Sequence, residues 1–169
     1  MKKTAELGLF LALALILSYV ESLIPFSFGI PGIKLGLPNL IVVLLLYRSG
    51  AKDAALVNFL RIILSGFLFG SLYSILYALA GAVLSFCAML IGRRFNCFSA
   101  VGVSVLGGVF HNIGQIIIAM LVVETYYVGY YIPFLIAAGT ITGAVLGVAV
   151  TELMPYLRDE IFGYRGERS

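Results

Sequence analysis

Long apolar runs separated by short polar segments restrict the fold of this chain more than any other feature. Hydrophobic residues make up 62% of the 169 residues and charged residues 11%, whereas soluble domains carry about 25% charged residues. Several runs approach the roughly 20 residues that span a bilayer. We therefore predict one all-α domain, residues 1–169, built as an integral membrane bundle of six transmembrane helices. The runs lie at about Leu7–Ile24, Leu37–Tyr47, Ala54–Phe69, Leu72–Ile91, Ala100–Val123 and Ile132–Met154.

The positions of the basic residues predict how these helices are oriented. With six spans and a cytoplasmic N-terminus, nine of the eleven Lys and Arg residues fall in cytoplasmic segments. Of the other two, Lys34 lies on the outer side of the membrane and Arg61 lies within a span. This distribution of basic residues agrees with the positive-inside rule. The predicted location is the cytoplasmic membrane of the cell, with several spans and with both termini in the cytoplasm. Glu124–Tyr131 then becomes a tyrosine-rich interfacial loop on the outer side.

The segment Glu21–Asn39 (ESLIPFSFGIPGIKLGLPN) interrupts the apolar pattern between the first two helices. It holds three of the five prolines and three glycines. Proline removes a backbone donor and fixes φ, so a regular helix cannot cross the segment. Beside membrane helices, such backbone is tolerated where protein or water satisfies its polar groups. We predict a structured Pro/Gly-rich outer loop that closes one end of a cavity, and an ordinary extramembrane connector is the alternative.

Polar side chains inside the apolar runs are the candidate substrate-binding residues. Arg61 is the most costly, because a charge near the bilayer centre costs about 2.5–3.5 kcal/mol and requires a partner. Counted from the cytoplasmic ends of the helices, Arg61 and His111 lie at comparable depths. We predict a polar chamber between the third and fifth helices beneath the Pro/Gly-rich loop, lined by Asn39, Asn58, Arg61, His111, Asn112 and Gln115. A hydrogen-bond network that only fixes helix register is the alternative.

Two further residues lie at the rim of the predicted chamber. Glu21 ends the first helix, and Lys34 lies in the outer loop. They can pair with each other or contact a ligand, and the sequence does not decide between these roles. An anionic or strongly accepting ligand group would suit the cationic Arg61.

Small residues at helical spacing are the candidate partner-docking positions. Gly139, Gly143 and Gly147 repeat every four residues, and Gly8 and Ala12 have the same spacing on the first helix. Such faces allow close approach of another backbone. The approaching helix can belong to a separate membrane protein or to this bundle itself.

Several kinds of chemistry lack the residues that they need. Aspartate occurs only at Asp53 and Asp159, so an Asp-rich magnesium site for diphosphate chemistry cannot be built. A Walker A motif is absent. His111 is the only histidine and the cysteines number two, so neither a metal centre nor a disulfide framework is predicted. We expect no cofactor and no nucleic-acid partner, and the sequence argues against an enzyme without excluding one.

Three motifs give the chain a family resemblance. The ESLIPF…PGIKLGLPN stretch, the N-x-x-R of Asn58 and Arg61, and the GGVFHNIGQ run from Gly107 to Gln115 resemble the Gx transporter family. Its members are widely labelled heptaprenyl diphosphate synthase component I. In its six helices and small size the family is similar to the substrate-binding S components of energy-coupling factor transporters.

The resemblance implies two different functions. As an S-component-like subunit, the chain would take up a small molecule together with a membrane coupling protein and two ATPase subunits. As component I of a heptaprenyl diphosphate synthase, it would be a noncatalytic membrane subunit in isoprenoid and menaquinone biosynthesis, with a soluble synthase subunit as partner. We expect the first function. S components often carry an A-x-x-x-A docking face on the first helix, where this chain has Gly8 and Ala12.

Overall fold

A computed structural model describes residues 2–24, 36–95, 98–124 and 126–159. All regular elements within these ranges are helices, which confirms the predicted all-α class. The helices are α1 (Lys2–Leu23), α2 (Asn39–Arg48), α3 (Ala51–Phe69), α4 (Leu72–Arg94), α5 (Ala100–Val123) and α6 (Ile132–Asp159).

Four helices are long and apolar enough to cross a membrane by length and composition: Lys3–Leu23, Leu72–Arg94, Ala100–Val123 and Tyr126–Leu157. The chain therefore has the character of a membrane protein. The remaining two predicted spans differ from these. α2 has only 10 residues, and α3 carries three charged residues, Lys52, Asp53 and Arg61. Six spans remain a prediction.

The structure differs from the predicted segment ends at several places, and α1 begins at Lys2, five residues before the predicted start at Leu7. The predicted loop Glu124–Tyr131 contains a 3-10 helix at Tyr126–Tyr131 that runs directly into α6. Its tyrosines Tyr126, Tyr127 and Tyr130 are 75–91% exposed, which suits residues at a membrane interface. α6 continues beyond the predicted end at Met154 through Pro155. Proline's fixed φ is compatible with a helix, although its missing N–H removes one backbone hydrogen bond.

The short helix α2 lies at the centre of the bundle. It contacts α1, α3, α5 and α6, and its residues from Ile41 to Leu46 are all no more than 4% exposed. Because α2 is apolar on every side, it is stable only when other helices surround it. Phe10 and Ala14 of α1 and Val150 of α6 belong to this core, together with buried residues of α3, α4 and α5.

Helix α5 packs most extensively, with α4 on one side and α6 on the other. Both contacts are made through glycines. A Cβ atom at Gly114 would lie 2.6 Å from the carbonyl oxygen of Ala80 on α4, and one at Gly139 would lie 2.7 Å from that of Gly108 on α5. Any side chain at these positions would separate the helices. The glycines therefore fix the depth and rotation of α5, which carries His111 and Gln115.

Charged side chains join the helices at the end where α2 finishes and α3 begins. Arg48 donates to Glu6 of α1 at 2.7 Å and to the carbonyl of Leu157 on α6. Lys3 pairs with Asp53 at 2.9 Å. We call the residues Lys3, Glu6, Arg48, Asp53 and Arg93 the ionic end.

Candidate functional site

The far end of α1 is tied to the start of α2 by Glu21. Its side chain is turned into the protein and only 5% of the residue is exposed. Oε1 accepts hydrogen bonds from the backbone N–H groups of Gly36 and Leu37, the latter at 3.1 Å. Gly36 has φ +87°, a left-handed conformation that favours glycine. Glu21 therefore holds the end of the Pro/Gly-rich segment in place.

Arg61 lies in the interior near Glu21. It is 5% exposed, and its Nη2 donates to Oδ1 of Asn58, one turn earlier on α3. The guanidinium interacts electrostatically with Glu21 on α1 and with His111 on α5. The structure therefore brings together residues of α1, α3 and α5 that are up to 90 positions apart in the chain.

Gly36 lies next to polar side chains of both α2 and α5. A Cβ atom at Gly36 would lie 3.1 Å from Asn39 Nδ2 and 3.5 Å from His111 Cδ2. Both side chains are buried. We call the residues Glu21, Gly36, Asn39, Asn58, Arg61 and His111 the polar cluster. Its side chains comprise five of the eight predicted substrate-binding residues.

The side chains of Gln115 and Asn112 lie outside the polar cluster, against α4 and α6 respectively. Gln115 is fully buried against α4, where its Cγ would lie 3.0 Å from a Cβ atom at Gly81. Asn112 Nδ2 donates to the carbonyl of Leu135 on α6 at 2.8 Å. His111 and Gln115 share the face toward Gly81, whereas Asn112 faces the neighbouring helix on the other side. The Asn112 amide therefore contributes to packing of α5 on α6.

Several buried polar atoms in this region have no hydrogen-bond partner within the described part of the chain. They include Asn39 Nδ2, Arg61 Nε, Ser85 Oγ, Asn112 Oδ1 and both side-chain amide atoms of Gln115. An unpaired buried donor or acceptor costs about 1–3 kcal/mol. Such atoms are suited to binding a polar ligand group. The described residues contain no group of three His, Cys, Asp or Glu side chains placed to hold a metal ion.

A family model supports the resemblance read from the motifs. The model described as heptaprenyl diphosphate synthase component I matches residues 10–153, which include every residue of the polar cluster. The chain belongs to the heptaprenyl diphosphate synthase component I family. No curated protein and no solved structure matches it.

In this component I family member, the two candidate docking faces have different surroundings. The glycine face of α6 is covered by α5, because Cβ atoms at Gly143 and Gly147 would lie 2.7 and 2.6 Å from the backbone of Ser104–Val105 and Val101. This is internal packing, the alternative to partner docking. Gly8 and Ala12 are exposed, and a Cβ atom at Gly8 would meet no atom within 4 Å.

Lys34 and the centre of the Pro/Gly-rich segment lie outside the described residues. The predicted pairing of Lys34 with Glu21 therefore stays a prediction, as does the loop over the chamber.

Sequence reasoning missed two contributors to the polar cluster of this family member. Gly81 allows α4 to approach the His111 side chain, whose Nδ1 would lie 2.9 Å from a Cβ atom there. A lone glycine within the apolar run of α4 was the available signal. The backbone N–H groups of Gly36 and Leu37 were also missed, because sequence patterns report side chains and seldom indicate which backbone donors are aligned.

Proposed function

We propose that this chain is a membrane substrate-binding subunit, similar to an S component, that takes up a small molecule with coupling partners. The observation that carries the proposal is the buried polar cluster with unpaired donors. A purely structural network gains stability by satisfying its members. Here Arg61 Nε and Asn39 Nδ2 are buried without an acceptor among the described residues, as expected for atoms that a ligand completes.

The proposal includes an orientation and a path. Six spans with the N-terminus in the cytoplasm put the polar cluster toward the outer side and the ionic end toward the cytoplasm. The ligand enters from outside, contacts the polar cluster, and leaves inward when coupling partners rearrange the bundle. The exposed face of α1 with Gly8 and Ala12 is the docking surface in this proposal.

A second candidate function is a noncatalytic membrane component of heptaprenyl diphosphate synthase. The observation that favours it is the description of the matching family, which implies a second component as partner. The chain has two aspartates in all, so an Asp-rich catalytic site would have to come from that partner.

Native mass spectrometry of the protein gently extracted from its own membranes separates these functions. We expect a retained small molecule together with a membrane coupling protein and ATPase subunits. Copurification with a soluble, Asp-rich prenyl synthase and no small molecule would instead support the second function. Recovery of the protein with neither a small molecule nor a partner would indicate a structural scaffold and would contradict both proposed functions.

The Arg61→Ala variant tests the polar cluster in the same experiment. Removing the guanidinium should abolish retention of the small molecule, because no other described cation lies in the cluster. The folded protein should still be extracted, and Arg94→Ala, which removes an exposed arginine from α4, is the matched control. If the Arg61→Ala variant retained the small molecule in full, the ligand would bind at a site other than the polar cluster.

A further inference from the structure

An anion is already bound at the start of α2, supplied by the protein itself. The Glu21 carboxylate accepts hydrogen bonds from two successive backbone N–H groups, those of Gly36 and Leu37. Successive N–H groups beside a left-handed residue form a concave anion-binding arrangement. Gly36 has φ +87°, and the ten-residue helix α2 follows within three residues, so its N-terminus also favours negative charge here.

Two further donors near this place have no acceptor among the described residues while Glu21 occupies it. Asn39 Nδ2 lies next to Gly36, at 3.1 Å from the position of a Cβ atom there, yet it has no acceptor among the described residues. Arg61 Nε is also without an acceptor in that part of the chain, although the guanidinium interacts electrostatically with Glu21. Both residues are 5% exposed.

The number of donors indicates the chemistry of the missing group. A carboxylate presents two oxygens, whereas a phosphate group presents at least three around one centre. Arginine and backbone N–H groups are well matched to phosphate oxygens. The Glu21 carboxylate accepts from both backbone N–H groups through one oxygen, and Asn39 Nδ2 and Arg61 Nε stay without an acceptor among the described residues. The three or more oxygens of a phosphate group point in different directions and can accept from all four donors.

We propose that Gly36, Leu37, Asn39 and Arg61 form a binding site for the phosphate or diphosphate group of a ligand, and that the Glu21 carboxylate occupies this site until the ligand displaces it. The inference rests on the proposed substrate-binding function and names the class of substrate. Displacement needs only rotation of the Glu21 side chain, and no covalent bond is formed or broken.

Binding of pyrophosphate, inorganic phosphate and acetate to the purified full-length protein tests the proposal by calorimetry. Glu21→Ala should bind pyrophosphate at least about tenfold more tightly than the unmodified protein, because two anions in contact repel strongly in the interior. Glu21→Gln keeps an acceptor oxygen and loses the charge, so an intermediate gain is expected. Acetate should bind more weakly than pyrophosphate to each variant.

Two matched controls make the result specific. Glu152→Ala removes an exposed carboxylate from α6 and should bind as the unmodified protein does. Adding Arg61→Ala to Glu21→Ala should remove the gain, whereas adding Arg94→Ala should leave it. Thermal unfolding checks that each variant is folded, and Glu21→Gln decides if Glu21→Ala does not fold.

The proposal is overturned if the folded Glu21 variants bind pyrophosphate no more tightly than the unmodified protein, or if acetate binds as tightly. Retention of the gain without Arg61 overturns it as well. These failures differ from failure of the proposed function. A retained metabolite and coupling subunits without any pyrophosphate effect would overturn only the phosphate site. Pyrophosphate binding with neither metabolite nor coupling subunits would overturn only the transport function.

Discussion

The ionic end and the polar cluster each contain a largely buried arginine, and the two are used in opposite ways. Arg48 at the ionic end donates to Glu6 on α1 and to Leu157 on α6. Arg61 in the polar cluster donates to Asn58 on its own helix, while its Nε has no acceptor in the described ranges. One arginine joins three helices, and the other leaves part of its hydrogen-bonding capacity unused.

Burial does not explain the difference, because the side chain of Arg48 is also only 14% exposed. What differs is the set of acceptors. An arginine with aligned acceptors on neighbouring helices stabilises their junction, whereas a buried arginine with incomplete acceptors reduces stability. The comparison teaches that buried charge alone does not mark a binding site, and that unsatisfied buried charge is the more informative feature. Stability measurements on four variants can break or sharpen it.

Arg48→Ala should give the largest loss of stability at the ionic end. It removes charge-assisted hydrogen bonds to two helices, and we expect the free energy of unfolding to fall by about 2 kcal/mol. Equilibrium unfolding in mixed detergent micelles measures the change, with Arg94→Ala as control. Retention of the small molecule should be unaffected. Equal stability of Arg48→Ala and Arg94→Ala would mean that the ionic end does not hold the bundle.

Arg93→Lys should give a smaller loss. Arg93 donates to the carbonyl of Leu46 in the last turn of α2, and its guanidinium lies 5.2 Å from the centre of the Tyr47 ring. Lysine keeps the charge and loses the planar stacking, so a decrease of about 1 kcal/mol is expected. The same unfolding measurement applies, with Arg94→Lys as the conservative control. No difference between the two variants would show that charge alone is needed there.

Several helices follow from the sequence because capping residues mark where their apolar runs begin. Ser71 and Ser99, for example, cap α4 and α5 by accepting hydrogen bonds from the N–H groups of Ser74 and Gly102. The central position of α2 could not be derived in the same way. Its run is short and apolar on all sides, which is compatible with a tilted span, a re-entrant helix or the core helix that the structure contains.

The polar cluster could be predicted only in part, for a geometric reason. Asn58 and Arg61 are three residues apart on one helix, so their contact follows from helical spacing. The distinction between His111 and Asn112 depends on where α4 and α6 lie around α5. The glycines Gly81 and Gly108 set that arrangement through backbone contacts, and small-residue spacing does not say which helix a glycine will meet.

Lys3→Ala should give the smallest effect and completes the comparison. Lys3 Nζ lies 2.9 Å from Asp53 Oδ2, but its side chain is 70% exposed while that of Asp53 is 12% exposed. Water and salt screen such a pair, so unfolding should become easier by no more than about 0.5 kcal/mol, and less at high ionic strength. Lys52→Ala, an exposed neighbour of Asp53, is the control in the same unfolding assay.

Asp53 makes this last result decisive, since it also lies in the first turn of α3, where a negative charge is favourable. Asp53→Ala should therefore cost more than Lys3→Ala, although each variant removes one partner of the same ion pair. If the two variants cost the same, the pair itself would carry the stabilisation despite the exposure of Lys3. Exposure would then be a poor guide to which charges hold this bundle, and the contrast between Arg48 and Arg61 would have to rest on acceptor geometry alone.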